Sequence, residues 1–344
     1  MLYVVAVLHG ALTLSAIGQQ LSLDPSLFRS NSARDSYGIQ PDDPKFDNGP
    51  SIQALIDDGQ RIPPGCYYFS STIEIRGIVE GSGELVYCIK PLSPAMRDAV
   101  ETGRATVLIY NGPADQPALL NRRFGARLDG LTLMRLNGEW VDGEGNPGGG
   151  VYRPKRDGST AIKLLGTQRQ PITGKLSVGR LSIVGFDTAV HISRKPREMH
   201  SCQNGFEWLW SQHNRIIFKS ENSQSVNNHV RYLAVNGACE TVLDVQAGGF
   251  WKFDMLGLNN RALLLRLRAS SPNSNQFVFA DVRADNNSAG WRLVDADPKA
   301  RGRVIARGTI GLKAEPAPDW IMGNVDVEYD FWRAHRPWHP KAAD

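Results

Sequence analysis

The chain has few of the features that define disulfide scaffolds, nucleic-acid-binding proteins or membrane proteins. Its four cysteines are too few for a disulfide framework, and no group of cysteine and histidine has zinc-site spacing. A formal charge of +4 over 344 residues is mild, and the scattered lysines and arginines predict no nucleic-acid partner. Beyond Gly18 no apolar stretch is long enough to span a bilayer, so no membrane partner is expected.

Common catalytic motifs are also missing. The sequence contains no P-loop, no complete dinucleotide fingerprint, no pair of zinc-binding histidines and no Gly-x-Ser-x-Gly elbow. Residues 47–58 form the one convincing helix, because Pro50 suits its first turn and Ile52, Leu55 and Ile56 form an apolar face. The lack of other long helical patterns argues against leucine-rich, ankyrin and other helix-containing repeats.

The sequence does contain a repeat of strand, turn and strand between Leu131 and Ile310. A β-like run followed by a corner marked by glycine or asparagine returns about every two dozen residues. One inward-facing residue can be assigned in each run: Ile183, Trp210, Val235, Leu258, Ala284 and Ile310. Such a period is typical of a solenoid, whose repeats bury their apolar faces only by stacking. The sequence therefore predicts an all-β protein built as a parallel β-helix.

The repeat divides the chain into four parts. Residues 1–18 are apolar and uncharged and resemble a secretory signal peptide, with a strand of the N-terminal cap as the alternative. Residues 19–60 form a lead-in and a short N-terminal capping helix, because the open end of a solenoid exposes unpaired backbone. Residues 61–312 form the β-helix, and residues 313–344 form a C-terminal cap or tail.

Four short motifs follow one another where the repeat begins. They are a helix with Ile52-Gln-Ala-Leu-Ile-Asp, the turn Pro63-Pro-Gly-Cys-Tyr, the strand Ser70-Ser-Thr-Ile and the turn Gly81-Ser-Gly. This order resembles the N-terminal portion of the pectin-lyase-like superfamily, which includes pectate lyases, polygalacturonases and bacteriophage tailspikes. The resemblance implies a single-stranded right-handed parallel β-helix, a polysaccharide partner, and a monomer or, as in tailspikes, a homotrimer.

The catalytic signatures of that superfamily are not legible here, so candidate catalytic residues come from strand geometry. Alternation of side chains points Glu207, Asp254, Asp281 and Asp285 to solvent on neighbouring coils. The first three, together with Arg231, recur at intervals close to the repeat, which predicts one outward column. Carboxylates one or two rungs apart have the separations that glycosidases use. The alternative is a solvated ladder that arginines neutralise for folding reasons.

Substrate contacts are expected from arginine and aromatic side chains near this column. Arg231 and Arg283 lie beside the carboxylates, and Trp140 and Tyr152, in a long insertion, are candidates for stacking on a glycan. Trp208 and Trp210 are instead expected to fill the core, and recurring asparagines such as Asn236 are expected to form a structural ladder.

Two further features leave alternatives open. The run Asp142-Gly-Glu-Gly-Asn146 could hold calcium but lacks the glycine and glutamate of an EF-hand, and a flexible acidic loop is the alternative. No metal ligand or other cofactor is expected elsewhere. Cys66 and Cys88 are about one coil apart, so they could form a disulfide or a stacked pair of reduced thiols.

Together these features predict an exported protein, secreted or at the cell surface, that binds a polysaccharide along its lateral groove. In one version it also cleaves the polymer, as a lyase or a glycoside hydrolase. The alternative is a non-catalytic, adhesin-like or structural β-helix module. A concave cleft in which the carboxylates share an aromatic platform would favour catalysis, whereas a flat convex column with every carboxylate paired to arginine would favour binding or structure.

Overall fold

The computed structural model describes residues 30–86, 94–142, 150–166, 172–194, 201–268, 276–333 and 336–338. Residues 1–18, Cys88 and loop 143–149 lie outside these ranges. The predictions of a signal peptide, of a bond between Cys66 and Cys88, and of a calcium loop therefore concern residues that are not described.

Two long sheets wind around one core, and labels follow chain order. Sheet A contains β1 (Gly65–Phe69), β3 (Ile78–Glu80), β4 (Thr106–Tyr110), β6 (Arg127–Asp129), β7 (Leu131–Met134), β11 (Ser177–Val184), β13 (Gly205–Gln212), β15 (Asn228–Asn236), β17 (Trp251–Asn259), β19 (Gln276–Ala284), β21 (Arg303–Ile310), β23 (Asp326–Arg333) and β24 (Arg336–Trp338). Sheet B contains β2 (Ile73–Ile75), β5 (Pro117–Asn121), β10 (Thr160–Leu164), β12 (Thr188–Ile192), β14 (Ile216–Ser220), β16 (Thr241–Val245), β18 (Leu263–Leu267), β20 (Arg292–Ala296) and β22 (Ile321–Met322). The remaining elements are hairpin β8 (Glu139–Asp142) and β9 (Gly150–Arg153), helices α1 (Ser30–Tyr37), α2 (Gly49–Asp57) and α3 (Pro94–Glu101), and a 3-10 helix at Asn286–Ser288.

Strands of successive coils pair in parallel in both sheets, from the first coil to β23. The chain alternates between sheet A and sheet B once per coil, which is the topology of a single-stranded β-helix. The predicted all-β class and right-handed parallel β-helix are confirmed. The parallel stacking continues past residue 312, because β23 adds a further strand to β21.

The core consists of the inward residues of both sheets. Ile183, Val235, Leu258, Ala284 and Ile310 are all buried, as the repeat predicts. Large aromatic side chains stack along the inside of sheet A: Trp251 lies beside Phe253, whose ring centroid is 5.0 Å from that of Phe279. Stacking equivalent residues of neighbouring coils lets each ring bury its faces against the next.

The long strands of sheet A bend between two buried residues, and this bend alters the simple alternation. The first part of β11 pairs with β6 and the second part with β7, so one strand continues two separate strands of the earlier coil. At the bend two consecutive residues of each strand face outward: Gly179 with Arg180, Glu207 with Trp208, Arg231 with Tyr232, Asp254 with Met255, and Ala280 with Asp281.

The bend corrects the prediction that Trp208 and Trp210 fill the core. Phe206 and Leu209 are the buried residues of β13, and the three-residue step between them moves both tryptophans outside. The indole of Trp208 is 40% exposed, and Trp210 is half-buried. Strict period-two alternation placed them inside because it does not account for a corner within a strand.

The N-terminal end of the β-helix is covered by the α-helix α2, which is the predicted capping helix. Its apolar face buries Ile52, Leu55 and Ile56. The Gln53 side chain also pairs with the backbone of the edge strand β2: Nε2 donates to Glu74 O at 3.1 Å, and Glu74 N donates to Gln53 Oε1 at 2.7 Å. The cap therefore satisfies backbone groups that an open edge would leave unpaired.

The C-terminal end is closed by an aromatic cluster around Trp320. Its ring lies 5.9 Å from Trp291 and 5.5 Å from Trp338, and both contacts are edge-on. Trp338 belongs to β24, which folds back antiparallel on β23. This cluster shields the last coil of the core from solvent.

The corner that follows the sheet A strands is built from left-handed residues and stacked amides. Gly237 has φ +73, and a Cβ there would lie 2.0 Å from Nδ1 of His213, which occupies the same corner one coil earlier. The side chains of Asn236, Asn259 and Asn287 hydrogen-bond in series along this edge, at 3.2 and 2.8 Å. The predicted asparagine ladder is therefore present, and its amides bond to one another.

Candidate functional site

Most of the predicted site residues lie on the outward face of sheet A. The register places Glu207, Arg231 and Asp254 on successive rungs in one column. Asp281 does not continue that column, because Phe253 pairs with Phe279 and Asp281 therefore lies opposite Met255. The predicted column is wrong at this rung by one position, and Ala280 lies where Asp281 was expected.

Each of these carboxylates is paired with a cation. Glu207 accepts a hydrogen bond from Arg231 at 2.9 Å, and Asp281 accepts one from Arg283 at 2.9 Å. Asp254 lies 2.6 Å from Nε2 of His229 and 2.7 Å from Nζ of Lys252. Burial alone would raise the pKa of Asp254, but the hydrogen bonds from Lys252 and His229 outweigh it and lower that pKa. A general acid needs the opposite shift.

Asp285 belongs to the corner beyond the face. It follows β19, is exposed, and its Oδ1 accepts a hydrogen bond from Asn287 N at 2.9 Å. Although part of the side chain faces solvent, the corner partly desolvates the carboxyl group; this raises the pKa of Asp285, and the backbone hydrogen bond from Asn287 partly opposes the rise. The side chain caps the 3-10 helix and so has a structural role in this geometry.

Trp140 and Tyr152 face each other across the β8–β9 hairpin, away from the carboxylate column. Tyr152 is buried, and its hydroxyl accepts a hydrogen bond from Gly138 N. The rings of Trp140 and Tyr152 both lie edge-on to His213, with centroids 5.9 and 6.1 Å away. Tyr152 thus anchors the hairpin on a corner of the solenoid, and its buried ring presents no face to solvent.

A partly exposed, mainly aromatic surface occupies the column beside the carboxylates. Trp208 and Tyr232 are neighbours in register, and their rings stack with centroids 4.0 Å apart and planes inclined by 25°. Trp210 lies 6.4 Å from Trp208, and Met255 extends the column by one rung. We call Trp208, Trp210, Tyr232 and Met255 the aromatic strip.

Small residues keep the strip accessible on the side of Trp210. Trp210 is followed on the next two rungs by Ala234 and Gly257, which add little height to the surface. Charged side chains border the strip on the opposite side, where Glu207 and Arg231 form their ion pair. The result is an apolar surface several rungs long with a polar margin, an arrangement that accepts the apolar face of one ligand group and the hydroxyls of another.

The strip begins where a covering segment of the chain ends. Over the earlier coils, Val86 and α3 pack on the outward face of sheet A, in a cluster with Val107, Met134 and Val184. Val86 N donates to Thr132 Oγ1 at 3.0 Å, and Val86 O accepts from Ser182 Oγ at 3.3 Å. This cover forms a step at the N-terminal end of the strip.

Comparison of the chain with protein-family models, curated proteins and solved structures found no match. Within the described ranges, no three His, Cys, Asp or Glu side chains are grouped so that they could hold a metal ion. No helix in that part of the chain is long and apolar enough to cross a bilayer.

Sequence reasoning missed the aromatic strip, although a signal for it is present. Trp208 and Tyr232 are one coil apart and each directly follows a member of the predicted charged column, Glu207 and Arg231. Charged residues in that column must face solvent. Two outward residues in a row, recurring at the repeat, would have identified both the bend and the exposed rings.

Proposed function

We propose that this chain is a polysaccharide-binding β-helix protein of the pectin-lyase-like type, exported to the cell exterior, that holds an extended glycan on the aromatic strip. The stacked pair of Trp208, which is 40% exposed, and the half-buried Tyr232 carries this proposal. Soluble proteins rarely expose adjacent aromatic rings without a partner for them. Rings of this kind pack against the apolar faces of sugars, while nearby charges bind sugar hydroxyls.

The repeat of the surface supports a polymer as the ligand. The outward pairs recur from β11 to β19, and four rung steps of about 4.8 Å extend over roughly 19 Å. A linear array of equivalent positions suits an extended ligand with its own repeat. The step formed by Val86 and α3 limits how far such a ligand could continue toward the N-terminal coils.

The ion pairs favour binding without cleavage. Glu207, Asp254 and Asp281 each have a cationic partner within hydrogen-bonding distance, and the pKa of Asp254 is lowered. Hydrolysis by two carboxylates needs one of them to be protonated near neutral pH. The other must be free of a cationic partner, so that it can act as base or nucleophile. Non-catalytic binding, as in an adhesin-like module, therefore fits this face better than lyase or hydrolase activity.

The test is binding to a polysaccharide panel by affinity electrophoresis, with Trp208→Ala as the variant. Trp208 is 40% exposed, and a tryptophan has a surface of about 250 Å², so a ligand that covers it removes roughly 100 Å² from water. This burial contributes ~2.5 kcal/mol to the binding free energy at most. We therefore expect binding to weaken about tenfold, and by no more than roughly seventyfold. Trp332→Ala is the matched control, because that indole is 43% exposed on β23, outside the strip.

Equal losses for Trp208→Ala and Trp332→Ala would contradict the proposed location, and retention of no polysaccharide would contradict the proposed function. Release of reducing sugars or of unsaturated products from a bound polymer would show that the protein cleaves its ligand. In that case Asp254→Asn and Asp281→Asn would identify whether these carboxylates take part.

A further inference from the structure

A second surface, on sheet B, has charged groups that the proposed function does not use. The fourth residue of each of six successive sheet B strands points outward, and the register stacks these residues in one column: Lys163, His191, Lys219, Asp244, Arg266 and Asp295. Arg215 and Arg268 flank this column. Together with Lys219, Asp244 and Arg266 they line a shallow, open depression; we call Arg215, Lys219, Asp244, Arg266 and Arg268 the sheet B cleft.

Asp244 is the unusual member of the cleft. Its side chain is more than nine-tenths buried, yet its Oδ1 has no hydrogen-bond partner among the described residues. The nearest cations are Arg266 at 3.9 Å and Arg268 at 3.8 Å, which is beyond hydrogen-bonding distance. Burial raises the pKa of Asp244, and the surrounding cations, Arg266 first, oppose that rise. A buried carboxylate oxygen without a donor is costly, so a ligand that donates to it gains affinity.

The two arginines beside it are also incompletely satisfied. Neither Arg266 nor Arg268 donates a hydrogen bond within the described part of the chain, and Nε of Arg266 is buried without an acceptor. The other two cations differ, because Arg215 is bound to Asp187 and Lys219 to Glu221. Among the described residues, the cleft thus presents two guanidinium groups and one carboxylate oxygen that can bind a ligand.

These groups define the chemistry of a ligand. Guanidinium groups bind oxyanions such as carboxylate, sulfate and phosphate through paired hydrogen bonds. The carboxylate oxygen between them accepts a hydrogen bond and so selects a hydroxyl next to the oxyanion. A divalent cation is disfavoured, because four positive side chains surround the single carboxylate.

We propose that the sheet B cleft is a second binding site, for a sugar unit that carries an oxyanion substituent. Arg266 and Arg268 bind the oxyanion, and Asp244 accepts a hydrogen bond from a neighbouring hydroxyl. A second depression, which shares Arg215 and Lys219 with the cleft, adjoins it and extends toward His191 and Lys163, so the acidic sugar can belong to a longer chain. This site lies on a different sheet from the aromatic strip, and the choice of a sugar as its ligand rests on the proposed function.

Titration calorimetry of the full chain with three polymers of matched length tests the site: polygalacturonate, dextran sulfate and uncharged dextran. We expect one of the two acidic polymers to bind. Binding of polygalacturonate would identify the oxyanion as carboxylate, and binding of dextran sulfate would identify it as sulfate. Arg268→Ala should weaken that binding at least about tenfold, the loss of one charge-assisted hydrogen bond. Asp244→Asn should also weaken it, because the amide replaces one acceptor oxygen by a donor.

Arg97→Ala is the matched control, since Arg97 is an exposed arginine on α3 and its removal lowers the net charge equally. Equal weakening by Arg97→Ala and Arg268→Ala would show general charge attraction and overturn the site. Binding of neither acidic polymer would also overturn it. Trp208→Ala should leave this binding unchanged, so failure of the sheet B site and failure of the aromatic strip are distinguishable.

Discussion

Replacing Gln53 with alanine should loosen the N-terminal end of sheet B. The side chain makes two hydrogen bonds to the backbone of Glu74, at 3.1 and 2.7 Å, on the edge strand of that sheet. Each such bond contributes roughly 0.5–1.5 kcal/mol, so the free energy of unfolding should fall by about 1–3 kcal/mol. Alanine is itself a good helix former, so α2 should persist and the loss should come from the strand edge.

Equilibrium urea denaturation measures the loss, and hydrogen exchange of the Glu74 amide shows where it occurs. Gln60→Ala is the control, because the Gln60 side chain is exposed and its hydrogen bond to Asp58 O is 3.4 Å long. The control should cost less than about 0.5 kcal/mol. If Gln53→Ala costs no more than Gln60→Ala, or leaves the Glu74 amide equally protected, α2 does not cap the solenoid through Gln53.

Three other predictions concern the core, acid stability and the charged column. Leu258→Ala should lower the free energy of unfolding by roughly 2–5 kcal/mol, and a loss below about 0.5 kcal/mol would contradict its place in the core. Hydrogen bonds from His191 and Lys219 lower the pKa of Glu221 to about 2 against opposing burial. The Glu221 carboxylate should therefore contribute at most roughly 3 kcal/mol to stability above pH 4.5, and this contribution should be lost as the pH falls toward 2. Acid denaturation of Glu221→Gln should not show this loss. Asp254→Asn should change stability by less than about 1 kcal/mol in thermal melts and leave glycan binding unchanged; lost binding would make this carboxylate part of the site.

The repeat was enough to predict the solenoid and most of its core. Ile183, Val235, Leu258 and Ile310 are inward because one residue per coil must occupy the same position in a stacked cross-section. The position of Trp210 was wrong because the cross-section turns a corner inside β13. Alternation has period two only along a straight strand, and a bend between Phe206 and Leu209 shifts every later residue by one.

The column on sheet A was misplaced for a related reason. The spacing in the sequence placed Asp281 beside Asp254, whereas the hydrogen-bonded register of β17 and β19 places it beside Met255, one position further along the strand. Register between parallel strands depends on the path that the chain takes through the connecting corner, which residue spacing alone does not specify. The sheet B column could have been predicted from the sequence, because Lys163, Lys219 and Arg266 are each the fourth residue of a mainly apolar strand.

Oxidation of the tryptophans by N-bromosuccinimide, with peptide mass readout, tests the proposed binding face most directly. The protein is oxidised alone and in the presence of the polysaccharide that it retains most strongly in the panel. The proposed binding mode predicts that the polysaccharide slows oxidation of Trp208, while Trp332, similarly exposed in the free protein, reacts at the same rate in both samples. Unchanged oxidation of Trp208 in the bound sample, or equal protection of Trp332, would contradict glycan binding on the aromatic strip.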